Sequence, residues 1–86
     1  MPKWLGLDYG AKRVGVALSD EGGHFAFPHT TLPNQANLVR ELVALGRREA
    51  VAGLVIGDSR DYRGAPNRIS APARRFGAAL AAAAQL

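Results

Sequence analysis

An α/β fold, with three antiparallel strands, a fourth strand running parallel to one of them and two helices, follows from three features of this sequence. Short apolar runs separated by glycine-marked turns fill its first third. The period then becomes helical, with Leu38, Leu42 and Leu45 on one stripe and Val39 beside it. A continuous apolar run, Val51-Ala52-Gly53-Leu54-Val55-Ile56-Gly57, comes next, and such runs mark the parallel part of a sheet.

Each element has a local reason. Lys3-Trp4-Leu5-Gly6-Leu7 reads as the first strand, and Asp8, the first carboxylate of the chain, stands at its end. Gly10 lets the backbone turn, and Arg13-Val14-Gly15-Val16-Ala17-Leu18 returns as the second strand. After Ser19-Asp20-Glu21-Gly22-Gly23, the residues from His24 to Phe27 and from Thr30 to Leu32 form a third. Pro28 lacks an amide hydrogen, so that strand belongs at a sheet edge or carries a bulge. On the first helix Arg40, Glu41, Arg47 and Arg48 lie away from the leucine stripe, and Asn34 or Asn37 caps its start. A helix between two strands predicts a right-handed crossover, laying 51–57 parallel to a neighbour and covered on both faces. Residues 58–67 read as a polar loop with Gly64 and Pro66. The second helix begins near Ser70, because Pro72 is tolerated only in a first turn. Its apolar face is Phe76, Ala79, Leu80 and Ala83. Trp4 and Phe76 read as core rather than as stacking platforms for bases, and His24 and His29 as ordinary strand or surface residues.

Composition narrows the function. Eighty-six residues make one small domain, which buries only roughly 60–65% of its unfolded surface. With no cysteine, disulfides and thiolate metal sites are excluded. The net charge is +4 and arginine dominates the basic residues, which suits a polyanionic partner. A compositional bias toward arginine and alanine explains the same excess. No signal-peptide core and no run of about 20 apolar residues occurs, so a cytoplasmic location without membrane attachment is expected.

Asp8, flanked by Gly6 and Gly10, is the first candidate site residue. A carboxylate at a strand end can ligate a metal, or it can simply start a turn. If 51–57 pairs in parallel with the first strand, the ends of both strands lie about 4.8 Å apart. Asp8 and Asp58 then become one candidate Mg²⁺ site at the carboxyl ends of parallel strands, where ligands of open α/β sheets bind. The alternative for Asp58 is an Asx-turn in the following loop.

At this point the residues carry a resemblance. The stretch Gly6-Leu7-Asp8-Tyr9-Gly10-Ala11-Lys12-Arg13-Val14-Gly15-Val16-Ala17-Leu18-Ser19-Asp20 resembles the opening of the YqgF/RuvX family. Val55-Ile56-Gly57-Asp58-Ser59 and Asp61-Tyr62-Arg63-Gly64 resemble that family's fourth-strand exit and the loop after it. Its members are ribonuclease H-like proteins described as Holliday-junction-resolvase-like, and as nucleases that mature the 5′ end of pre-16S ribosomal RNA. The resemblance implies a Mg²⁺-dependent endonuclease, with Mn²⁺ as an alternative metal, in which metal-bound water attacks a phosphodiester. It makes Asp8 the first catalytic metal ligand and matches Asp58 to an acid of related resolvases that many YqgF-type members lack. Lys12 and Arg13 would contact phosphate, and Arg60, Arg63 and Arg68 would extend the nucleic-acid surface. Pre-rRNA or branched DNA is the implied partner.

This sequence also departs from the family. Members continue through a fifth strand, an Asp-Glu-Arg-type segment and a helix with a further catalytic acid, which these residues do not contain. Residues 1–86 are therefore expected to form a single incomplete ribonuclease H-like domain, poorly active as a monomer. The fourth strand, left at an open sheet edge, predicts a homodimer through that edge. Competing readings are a Holliday-junction DNA resolvase, a kinase-like ATPase fragment sharing the strand-Asp-x-Gly turn, and a non-catalytic nucleic-acid-binding fragment.

Overall fold

In the computed structural model, which describes residues 3–58 and 71–86, the chain runs β1 (Lys3–Tyr9), β2 (Arg13–Ser19), β3 (Ala26–Pro33), α1 (Leu38–Arg48), β4 (Val51–Asp58) and α2 (Ala71–Ala84). The strands form one sheet in the order β3-β2-β1-β4. The β1–β2 and β2–β3 pairs are antiparallel and β1–β4 is parallel. This is the mixed α/β arrangement expected from the sequence, and it is compatible with a ribonuclease H-like fold.

Strand alternation separates two faces. Leu5 and Leu7 of β1 and Val14 and Val16 of β2 point to one side, where they are buried with Leu38, Leu42 and Leu45 of α1 and Leu80 of α2. Both helices therefore pack on the same face. Among the described residues no polar or charged side chain is buried, so this core is held by apolar burial alone. Tyr9 and Phe76 close its upper end, their rings 5.0 Å apart and tilted by 36°. Phe76 is thus partly buried core, as expected.

Trp4 is not. It alternates with buried Leu5, so it falls on the opposite face and stays 41% exposed. Its ring lies over Gly53 of β4, where any β-carbon would collide with it. Ser19 holds this end of the sheet: its Oγ accepts from the Trp4 amide at 2.7 Å and donates to the Asp20 carbonyl at 2.9 Å.

Three other expectations need correction. Among the described residues no helix covers the second face of β4: Leu54 and Ile56 pack against the core, whereas Val55 is 58% exposed and Gly53 lies under the Trp4 ring. An unbroken apolar run reads as doubly covered, but both described helices lie on the same side of it. On α2 the inward positions are Ala73, Phe76 and Leu80, while Ala79 and Ala83 are exposed. Alanine has no side chain long enough to mark which flank of the helix turns inward. Asn37 occupies the N-cap of α1 without a side-chain hydrogen bond, and Asn34 works elsewhere.

The proline argument holds in both its parts. β3 is an edge strand, and Val16 pairs with Thr30 while Ala17 pairs with Pro28, leaving His29 as the extra residue of a bulge. α2 carries Pro72 in its first turn as expected; Ser70, its expected start, lies outside the described residues. α1 ends on Ala50, which takes a left-handed φ of 55° while its amide donates to the Arg47 carbonyl.

Candidate functional site

Asp8 lies inside β1 rather than at its exit, because the strand continues through Tyr9. Its register partners are Gly15 on β2 and Gly57 on β4. The carboxylate thus stands between two residues without side chains, on the face opposite the two described helices. It is exposed and has no hydrogen bond or ion pair among the described residues. A β-carbon at Gly15 would sit 3.5 Å from the Asp8 β-carbon, so glycine there keeps the approach to the carboxylate clear. The space around it is a shallow trough of about 450 Å³, lined by Gly6, Asp8, Gly15, Ala17, Val55 and Gly57 among others.

The turn beyond Asp8 is clamped from outside. Asn34, just after β3, donates from Nδ2 to the Gly10 carbonyl and from its backbone amide to the Lys12 carbonyl, both at 2.9 Å. Two bonds from one residue hold the Gly10-Ala11-Lys12 turn against the end of β3. Lys12 and Arg13 are both exposed there. Arg13 opens β2 two positions before Gly15, so it shares the Asp8 face by alternation. This role of Asn34 is hard to see in the sequence. Its only signal is a Pro-Asn pair ending a strand, which a helix cap explains equally well.

The parallel pairing brings Asp58 next to this site at the level of the backbone. It is the partner of Tyr9, one register step past the Asp8–Gly57 pair. The side chain of Asp58 lies outside the described residues, as do Arg60, Arg63 and Arg68. Among the described residues no three acids or histidines gather closely enough to hold a metal ion. His24 and His29 sit in the β2–β3 turn and in the bulge, away from Asp8.

The nearest acid in sequence, Asp20, is committed to structure. Its Oδ1 accepts from the amides of His24 at 2.8 Å and Phe25 at 3.3 Å, and its own amide donates to the Phe25 carbonyl. The Phe25 and His24 amides hold its carboxyl below the usual value. Asp20 lies at the far end of β2 from Gly15 and is no partner for Asp8.

Among the described residues no helix is long and apolar enough to cross a membrane. A family model described as "RuvX: Holliday junction resolvase" matches residues 2–86. A relative from Nitratidesulfovibrio vulgaris (strain DSM 19637 / Miyazaki F) is 44% identical over 57 residues, covering 64% of this chain and 40% of the relative. One from Maridesulfovibrio salexigens is 34% identical over 80 residues, covering 91% of this chain and 59% of the relative. One from Chlorobaculum tepidum is 38% identical over 76 residues, covering 88% and 53% respectively. All three carry the name "Putative pre-16S rRNA nuclease". The chain spans about half the length of these curated relatives. A match over nearly its whole length, on a fold with the strand order and parallel pair described above, makes the chain a member of the RuvX family.

Proposed function

We propose that this chain carries the Asp8 half of a nuclease site acting on structured RNA, with the 5′ end of pre-16S rRNA as its substrate in the cytoplasm. The observation that supports this reading is Asp8 itself: an exposed carboxylate, without a partner among the described residues, set between Gly15 and Gly57 beside a clamped basic turn. The names of the relatives supply the substrate class. Asp8 would hold Mg²⁺ or Mn²⁺; Mg²⁺ commonly takes one or two carboxylates and fills its remaining positions with water and substrate oxygens. Asp58 as second ligand would require β4 to break its alternation at that last residue, because Asp58 pairs with Tyr9 of the core face and not with Asp8. The metal would supply charge neutralisation at a phosphodiester and activation of water.

The chain's own residues do the positioning. Lys12 and Arg13, held on a turn that Asn34 braces, would bind phosphates next to Asp8, and Arg60, Arg63 and Arg68 would lengthen the contact. The glycines at 15 and 57 let a backbone phosphate come close to the carboxylate. The family description favours a second substrate, a four-way DNA junction, and side-by-side binding of a pre-16S 5′ fragment and a junction distinguishes the two. The outer edge of β4, unpaired among the described residues, supports a homodimer through that edge, which concentration-dependent sedimentation would detect.

Titration with Mn²⁺, followed by paramagnetic broadening of amide resonances, tests the metal reading directly. Broadening centred on Asp8, Gly15 and Gly57, and lost in Asp8→Asn, is expected. Broadening that persists in that variant, or that centres elsewhere, overturns the assignment. Asp8→Asn should leave thermal stability within about 0.5 kcal/mol, since the carboxylate is exposed and unbonded among the described residues.

A further inference from the structure

We infer that Thr31 is a phosphate-binding residue of the Asp8 site, its hydroxyl set across Gly15 from the carboxylate. The inference rests on the nuclease reading given above and adds where a backbone phosphate would sit. Register joins Gly57, Asp8, Gly15 and Thr31 in one row across the four strands, so all four share a face. Thr31 borders the same trough as Asp8 and Gly15, and its hydroxyl has no hydrogen-bond partner among the described residues. Two strand spacings, about 9.6 Å, separate it from Asp8, and Gly15 puts no side chain between them.

The bulge in β3 is what turns Thr31 toward this gap. His29 is the extra residue, and beyond it Thr30 pairs with Val16, Thr31 with Gly15 and Leu32 with Val14. Were the pairing of Phe27 with Leu18 and Pro28 with Ala17 continued without that residue, Thr31 would meet Val14 and turn to the core side. Leu32 would then leave the core that it packs against. One inserted residue therefore seats Leu32 and presents Thr31 together.

Asp8 has a neighbour without a side chain on each flank, and the surroundings choose between the two. Along β4 the residue that shares the face of Gly57 is Val55, exposed and apolar. Gly15 has Arg13 two positions along β2, about 7 Å away, and Thr31 beside it on β3, about 4.8 Å away. A guanidinium and a hydroxyl both donate hydrogen bonds, so a phosphate over Gly15 gains two donors and one over Gly57 gains none among the described residues. The pairing of Arg13 with Pro33, and the two bonds from Asn34 to the preceding turn, fix Arg13 relative to Thr31 before any ligand arrives.

The test measures binding of the pre-16S 5′ fragment and of a four-way DNA junction in EDTA, where no metal contributes, over a range of salt. Thr31→Val keeps the shape of the side chain and suits a strand; it should weaken both ligands about tenfold, the scale of a hydrogen bond to a charged group. A hydroxyl releases no counterion, so the slope of log affinity against log salt should stay as in the unaltered chain, whereas Arg13→Ala should reduce it by about one. Thr31→Ser should bind within about twofold of the unaltered chain. Amide shifts on binding should be larger at Gly15 than at Gly57. Unchanged binding by Thr31→Val, an altered salt slope in that variant, an equal loss in Thr31→Ser, or shifts centred on Gly57 would each overturn the proposal. So would a loss confined to the RNA, which would give Thr31 a ribose hydroxyl as its partner. None of these outcomes touches the metal reading of Asp8, which Mn²⁺ broadening decides. Failure of the unaltered chain to bind either ligand would overturn the nuclease reading and this seat together.

Discussion

The two faces of one sheet differ in almost every property that sequence composition can express. On the helix side Leu5, Leu7, Val14 and Val16 meet the leucines of α1 and α2 in a core with no described polar side chain. On the other side the same strands present Trp4, Gly6 and Asp8, then Gly15 and Ala17, then Gly53, Val55 and Gly57. The first face holds the domain together; the second holds the carboxylate and a floor of small residues. The stabilising core and the face of the proposed site are therefore separated by a single alternation along β1, and substitutions on the two faces should behave differently.

The largest contrast is expected between truncations of apolar residues. Leu42→Ala removes a fully buried side chain from the core and should cost about 2–5 kcal/mol, a large part of the total for a domain this small. Val55→Ala on the open face should stay within about 0.5 kcal/mol. Urea unfolding of both variants measures the difference, and comparable losses would break the separation of roles. Gly53→Val is intermediate. Its side chain would enter the space of the Trp4 ring, so a loss of about 1–3 kcal/mol together with a red shift of Trp4 emission is expected. A stable variant with unchanged emission would show that the ring does not rest on β4.

Smaller effects belong to the connections. Ala50 holds a left-handed backbone at the end of α1, a conformation that costs an L-residue about 1–2 kcal/mol and that glycine adopts freely. Ala50→Gly should therefore stabilise by about 0.5–1 kcal/mol, after the greater flexibility of glycine in the unfolded chain is allowed for, and raise Tm. The Asp20 turn has a pH signature. Its folded carboxyl lies below the ordinary value of 3.8, so its contribution is fully present above that value and is lost as pH falls through the lower, folded one. Asp20→Ala should flatten the acid limb of the stability profile below about pH 4, and an unchanged limb would assign the acid sensitivity to other groups.

The open face was the harder one to read from residues alone. The leucine stripe of α1 was legible because its spacing repeats and its charges fall elsewhere; Pro28 was legible because a missing amide leaves few places in a sheet. Trp4 looks like core by its size, as large aromatics usually are, and only its alternation with Leu5 places it outside. Among the described residues β4 lacks the expected double cover for a related reason: an apolar run carries no record of which side its helices take. Asn34 had two plausible uses at similar positions, and the geometry of the β1–β2 turn chose between them.

Sequence by itself determined the strands, the α1 stripe, the edge position of β3 and the presence of an aspartate beside a basic turn. These depend on local spacing, turn chemistry and hydrogen-bonding capacity, all of which are written in neighbouring residues. Tertiary structure alone decided that Asp8 stands opposite Gly57 while Asp58 stands opposite Tyr9, that Trp4 roofs Gly53, and that both described helices take the same face of the sheet. Register is a property of two strands together, and a shift of one residue exchanges every side chain between the faces.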